Sequence, residues 1–246
     1  MIKLSEISTL PPKDVNKKEI QRQTKKNCKE IARLHDIMIA QGKYNLLVVF
    51  QGMDASGKDG AVKNVFKYCN PSGINVKGYK KPTDEEFAHD FLWRIHKNTP
   101  KKGMIQIFVR SHYEDVLIQR VHKWITEDHA LKRINAINAF EELLEFDNNT
   151  TVLKYYLHLS YEQQAIELQQ RIDDPTKHWK HNPGDWEERK YWDEYRRCYE
   201  DVINRSIIPW VITPVDERWY RDFVISSSIL GALKKLDLKY PPLEKE

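Results

Sequence analysis

Cysteine is scarce in this chain: Cys28, Cys69 and Cys198 are odd in number, far apart and without a CxxC pair. That excludes a disulfide framework and a cysteine zinc site and points to a reducing compartment. Nine glycines and eleven prolines in 246 residues are too few for collagen-like or low-complexity repeats. No run of 18 uncharged apolar residues occurs, and the N-terminus MIKLSEISTLPPKDVNKKEIQRQ lacks the apolar stretch of a signal peptide. A cytoplasmic protein with no membrane partner is the expectation. A strong charge of one sign is missing too: 40 Lys and Arg against 36 Asp and Glu leave +4, which does not advertise a nucleic-acid binder. What is present is 40% hydrophobic and 31% charged residues with seven Trp, the make-up of a folded globular chain.

Apolar runs and helical spacings alternate along the whole length. Residues 1–13 read as an extended lead-in packed on the body, and Asp14 to about Gln41 as an amphipathic helix stopped near Gly42. NLLVVF (Asn45–Phe50), INVKGY (Ile74–Tyr79), MIQIFV (Met104–Val109), TVLKYYLHLS (Thr151–Ser160) and WVITPV (Trp210–Val215) read as strands. Helices are expected after the first strand, over Thr83 to about His96, 114–125, 130–147, from Ser160 to Asp173, 186–204 and 217–236. Capping boxes are read at Thr83/Glu86 and Ser160/Gln163. The pattern predicts one α/β domain over 1–246: a three-layer sandwich with a five-stranded parallel sheet between helices.

Gly52-Met53-Asp54-Ala55-Ser56-Gly57-Lys58 has the G-x-x-x-x-G-K spacing of a phosphate loop and lies between a buried strand and a helix. Glycines let successive N–H groups turn inward, the helix start adds its positive dipole end, and Lys58 adds a full charge. Asp59 stands where a Ser or Thr hydroxyl normally meets magnesium. Asp54 would repel a phosphate unless a cation lay between them, so it is a candidate magnesium ligand; a helix-capping role for Asp54 or Asp59 is the other reading. Arg110 follows an apolar strand and should emerge at the carboxyl end of the sheet; pairing with Glu114 one turn on is its other reading.

With IFVRSHYEDVLIQRVH (Ile107–His122) and RIDDPTKHWKHNPGDWEERKYWDEY (Arg171–Tyr195), the chain resembles the second family of polyphosphate kinases over nearly its whole length. GMDASGKDG looks like that family's phosphate loop, including Gly60. DFLWR (Asp90–Arg94) looks like its linking helix, RSHYED like its Walker B segment and DDPTKHWK like the start of its lid. The resemblance implies a P-loop kinase fold with a helical lid at about 171–190 over a channel for the phosphate chain. It implies magnesium, or alternatively manganese, on Asp54 and Glu114, and phosphates on Lys58 and Arg110. Arg171, Lys177 and Lys180 would neutralise the chain, and Lys80 in YKKPT would lie near the loop. Glu114 matches the acidic residue of members that accept nucleoside monophosphates as well as diphosphates. Val109 stands where the family often has Asp or Asn, which removes a metal or phosphate role there. The expected partners are inorganic polyphosphate, nucleoside mono- and diphosphates and further copies of the chain, with no nucleic acid. An ATP-dependent nucleoside monophosphate kinase of the thymidylate kinase kind keeps the same fold with a different donor, and a non-catalytic phosphate sensor is a third reading.

Two features carry less information. Between Arg171 and Arg197 seven basic residues meet seven acidic ones, as in any solvated, salt-bridged helix. Five tryptophans fall after residue 178; the helical spacing of Trp186, Trp192 and Tyr199 predicts core packing, leaving Trp179 as a base or lid contact. His112, His122, His178 and His181 form no metal-binding spacing.

Overall fold

The computed structural model describes residues 1–243. Five strands, β1 (Asn45–Gln51), β2 (Ile74–Gly78), β3 (Ile105–Val109), β4 (Thr150–His158) and β5 (Trp210–Pro214), form a parallel sheet in the order β2-β3-β1-β4-β5. β1 is central and every residue of it is buried. Successive side chains of a strand point to opposite faces, and β1 shows this directly. Leu47 and Val49 enter one core, with Phe108, Val152 and Tyr156, whereas Leu46, Val48 and Phe50 enter another with Ile105, Ile107, Tyr155 and Leu157. Edge strand β2 keeps no buried residue.

Among the described residues there are ten α-helices: α1 (Lys17–Gln41), α2 (Lys58–Val65), α3 (Asp84–Phe87), α4 (Trp93–His96), α5 (Ile118–Val121), α6 (Glu127–Asn148), α7 (Tyr161–Asp173), α8 (Gly184–Glu188), α9 (Trp192–Arg205) and α10 (Arg218–Lys235). α1, α2 and α10 pack on one face, α4, α6 and α9 on the other. α1 begins at Asn16, whose side chain accepts from the Glu19 N–H, and ends at Gly42, whose φ of 60° favours glycine. The lead-in packs as expected: Leu4 is in the core, and its N–H donates to Glu200 at 2.7 Å.

Three expected helices are broken, two by a buried arginine and one by apolar burial, demands that periodicity does not show. The stretch 83–96 divides into α3 and α4 because the Asp90 side chain accepts from the Leu92 N–H at 2.9 Å and starts a new turn. This turn brings buried Arg94 to Asp115 (3.2 Å) and the Lys80 carbonyl (3.0 Å). The stretch 114–125 is a 3₁₀ turn, His112–Val116, followed by α5, an arrangement that sends Tyr113, Val116 and Leu117 inward. The stretch 186–204 is α8, a 3₁₀ turn at Arg189–Tyr191 and α9; Arg189 is drawn in to donate to the Gln164 side chain at 3.0 Å. The Thr83/Glu86 capping box forms. At Ser160 only half does, because the Gln163 amide turns to Glu167. Among the tryptophans, Trp210 is buried and Trp192 packs on the core, while Trp179 is exposed.

Candidate active site

Parallel neighbours end together, so the carboxyl ends of β1 and β3, paired at Phe50 and Val109, deliver their following residues into one crevice. From β1 comes the loop 52–57. Gly52 has φ 151°, and a Cβ there would lie 2.8 Å from the Leu157 carbonyl oxygen; Gly57, at φ 86°, has no room for one beside Arg221. Ala55 (φ 66°) shares the left-handed conformation, and alternating handedness of this kind turns successive N–H groups toward one concavity. Gly57 is the N-cap of α2 without a side-chain cap, so neither Asp54 nor Asp59 has the capping role. The first N–H groups of α2, from Lys58 onward, are left for a ligand.

Lys58 is buried and folded into its own loop, donating to the carbonyls of Gly52 (2.7 Å) and Met53 (3.0 Å). Burial pushes its ammonium down to about 8, against the opposing pull of Asp54. From β3 comes Arg110, at φ 62°, whose N–H donates to the Phe50 carbonyl at 3.0 Å. Its guanidinium pairs with Asp54, not with Glu114. Burial alone would raise the Asp54 carboxyl, but Arg110 and Lys58 outweigh it and hold it below its usual range. Glu114, on the 3₁₀ turn, accepts from Gln51 at 3.1 Å; burial raises its carboxyl despite Arg110 and Lys58 nearby.

The Asp54–Arg110 pair stands between two cavities of opposite character. A groove of about 860 Å³ is lined by Lys58, Lys80, Arg110, Arg171, Lys177, Lys180 and Arg218 against Asp54, Asp59, Glu167 and Asp185. Seven cations facing four carboxylates suit a polyanion. A smaller cavity of about 260 Å³ contains Asp54, Glu114, Asp185 and Glu188 with only Arg110 and Arg189 opposite. This side suits cations and hydrogen-bond donors, and Tyr195 and Tyr199 give it aromatic wall.

The other expected site residues divide between these spaces. Gly52 and Met53 border the smaller cavity; Ala55, Gly57, Asp59 and Gly60 border the groove. Ser56 lies beneath the loop, buried, with its hydroxyl 3.4 Å from Lys58 Nζ. Arg171 belongs to the last turn of α7 and is bonded to Asp185 at 2.6 Å. Lys177 and Lys180 occupy the 3₁₀ stretch Pro175–Lys180 that roofs the groove, where Lys180 reaches Asp59 at 3.5 Å. Trp179, 77% exposed, lines the same groove. Sequence reasoning missed Asp185, Gln164 and Arg218. Gln164 donates to the Asp54 carbonyl at 3.0 Å and so ties the loop to α7; no local motif marks it. Asp185 lay inside the charge-balanced stretch that looked merely solvated.

A parallel sheet with a phosphate loop after its central strand, a paired Arg and Asp at the switch point and a basic groove beside them defines a P-loop phosphotransferase. The family model Polyphosphate kinase 2 (PPK2) matches residues 14–241, and the chain belongs to that family. It is 41% identical over 219 residues to the AMP/ADP-polyphosphate phosphotransferase of Meiothermus ruber, spanning 88% of this chain and 82% of that one. It is 36% identical over 226 residues to the ADP-polyphosphate phosphotransferase of Rhodopseudomonas palustris, spanning 86% and 78%. The crystal structure of polyphosphate kinase 2 from Arthrobacter aurescens TC1 matches with a TM-score of 0.95 at 36% identity, over 100% of this chain and 89% of that one. No helix among the described residues is long and apolar enough to cross a membrane.

Proposed function

We propose that the chain transfers a phosphoryl group between inorganic polyphosphate and a nucleoside diphosphate, and a monophosphate as well. The observation that carries this is the basic groove of about 860 Å³, whose seven cations outnumber its four carboxylates and suit an extended phosphate chain. The names of the relatives support the same reading. Phosphoryl transfer requires mainly placement and charge neutralisation, because charge spreads over three equatorial oxygens in a loose transition state. Lys58 and Arg110 hold the group in transit, and Arg171, Lys177 and Lys180 hold the donor chain. The acceptor phosphate is already an oxyanion, so the reaction is a direct in-line transfer with no covalent intermediate on the protein. The smaller cavity, with Glu114, Tyr195 and Tyr199 in its wall, takes the base and ribose of the acceptor nucleotide, whose phosphate turns to Arg110. Purified protein given ADP and long-chain polyphosphate, with no other phosphoryl donor, makes ATP. Phosphorylation of a nucleoside monophosphate from ATP alone, with polyphosphate inert, would instead establish the thymidylate kinase kind of activity.

A magnesium ion, with manganese as substitute, fits the donor set. Among the described residues no group of three or more His, Cys, Asp or Glu encloses a metal. Magnesium, however, commonly uses one or two carboxylates, waters and the substrate's own phosphates. Asp54 borders both cavities and Glu114 the smaller one, so these two would hold the ion, which would supply neutralisation of phosphate charge. Chelation with EDTA therefore abolishes turnover and excess magnesium restores it. Asp54→Asn raises the magnesium concentration for half-maximal rate at least tenfold, read by titrating the metal.

The depressed Lys58 ammonium sets a pH dependence. Only its protonated form neutralises phosphate, and in the free protein that form is lost as pH rises through about 8. kcat/KM, which reports the free enzyme, thus falls above pH 8, whereas kcat holds to higher pH because bound phosphate favours the ammonium. Steady-state rates from pH 6.5 to 9.5 test the separation.

Copies of the chain assembling into a homo-oligomer and a cytoplasmic location belong to the same proposal, and size-exclusion chromatography with light scattering tests the first.

A further inference from the structure

A strip of cations lies outside the groove and takes no part in the site described above. On α1, Lys18, Arg22, Lys25 and Lys29 recur at i, i+4, i+7 and i+11, which places them on one face of the helix over about 16 Å. α2 adds Lys63, and Lys67 follows in the turn just beyond the end of α2. All six are exposed, and none forms a salt bridge among the described residues.

The two rows adjoin. Cys28 Sγ on α1 lies 3.8 Å from the Asn64 carbonyl on α2, and Lys29 and Lys67 flank the same ring, Tyr68, at 6.0 and 5.1 Å from its centroid. The strip also starts at the groove. α1 runs beside α10, with Lys17 on Glu217 at one end and Asn27 on Ser227 further along, and Arg218, next to that first contact, lines the groove. α2 itself leaves the phosphate loop at Lys58. The carboxylate between α2 and α10, Asp222, is bonded to Arg221 and Asn64 and also feels the charge of Lys67.

A solvated helix face normally alternates sign at i, i+4, and like charges at that spacing cost stability. Here two such pairs on α1, Lys18/Arg22 and Lys25/Lys29, are like-charged. Their arrangement suits a ligand with many regularly spaced negative charges that is too long for the groove.

We propose that this strip on α1 and α2 holds the distal part of a long inorganic polyphosphate chain whose reacting end occupies the groove. This rests on the function proposed above and adds a second, outer binding segment that selects for chain length. Such contacts are weak singly, additive and screened by salt.

The experiment replaces Lys25, Lys29, Lys63 and Lys67 together by Gln and measures rates with ADP and either polyphosphate of several hundred units or linear tripolyphosphate. For the long chain KM rises about tenfold at low salt, four lost surface contacts multiplying, and the difference from the unaltered protein shrinks at 0.5 M salt. KM for tripolyphosphate, KM for ADP and kcat stay unchanged. A control with Lys97, Lys101, Lys102 and Lys132 replaced by Gln has the same loss of charge and leaves every constant unchanged. The inference is overturned if long and short chains respond alike, if the control responds equally, or if double-stranded DNA or RNA occupies the strip in preference to polyphosphate in competition. Unaltered protein that turns over neither chain would overturn the proposed function itself, a distinct result.

Discussion

Replacing Lys58 by Met lowers kcat for ATP formation by about 10²–10³-fold, the usual loss when one preorganised charge on a developing oxyanion is removed. The magnitude follows from where Lys58 sits. It is buried against the loop carbonyls of Gly52 and Met53, at the floor of the groove. Its charge there meets little solvent screening, and no other cation lies in the loop. Methionine keeps the apolar stem, so packing beneath the loop survives and thermal stability changes little. Steady-state kinetics with ADP and polyphosphate measure the effect, and binding of ADP by calorimetry separates it from loss of the acceptor. If kcat stays within threefold while KM alone rises, Lys58 binds ground state and transition state equally and does not drive transfer.

The largest stability effect falls on a cluster beneath the Walker B segment. Lys154 and Glu141 are fully buried at 2.5 Å; Tyr113 OH donates to Glu141 at 2.9 Å, and His112 Nε2 lies 3.2 Å from the same carboxylate. Burial alone would raise the Glu141 carboxyl, but Lys154 and His112 beside it hold it below its usual range. Glu141→Ala leaves the Lys154 ammonium buried without a counter-charge, with only the Tyr113 hydroxyl at 2.8 Å to accept from it, and costs about 3–5 kcal/mol. The double change Glu141→Leu with Lys154→Met removes both charges and is near neutral. Urea denaturation of the three proteins tests this contrast. A single variant as stable as the double one would mean that Lys154 finds water or loses its proton at no cost.

The outline of the fold was legible because each strand is a short apolar run with turn residues at its ends, and β1 is buried on both faces. The phosphate loop was legible because its glycines answer a local demand: Gly52 and Gly57 adopt conformations that a Cβ would block. Arg110 was placed correctly from its position after β3. Its partner was not, since Asp54 reaches it only because β1 and β3 are neighbours, a fact of strand order with no signature in either segment. The broken helices at 83–96 and 186–204 were hidden for a similar reason. Arg94 and Arg189 carry the polar residue type of a surface position, but each is pulled inward by partners distant in sequence, Asp115 and Gln164. Asp185 escaped because a run of balanced charges looks the same whether it faces water or closes over a groove.

The central claim is that the loop 52–58, aided by Arg110 and a divalent ion on Asp54, grips the phosphoryl group in transit. A crystal structure of the chain with linear tripolyphosphate and magnesium tests it most directly. The expected result is a phosphate within hydrogen-bonding reach of the N–H groups at the start of α2, Lys58 Nζ turned from the Gly52 and Met53 carbonyls toward it, and Asp54 on the ion. Phosphate bound elsewhere, with Lys58 still on those carbonyls and Asp54 still on Arg110 alone, would contradict it.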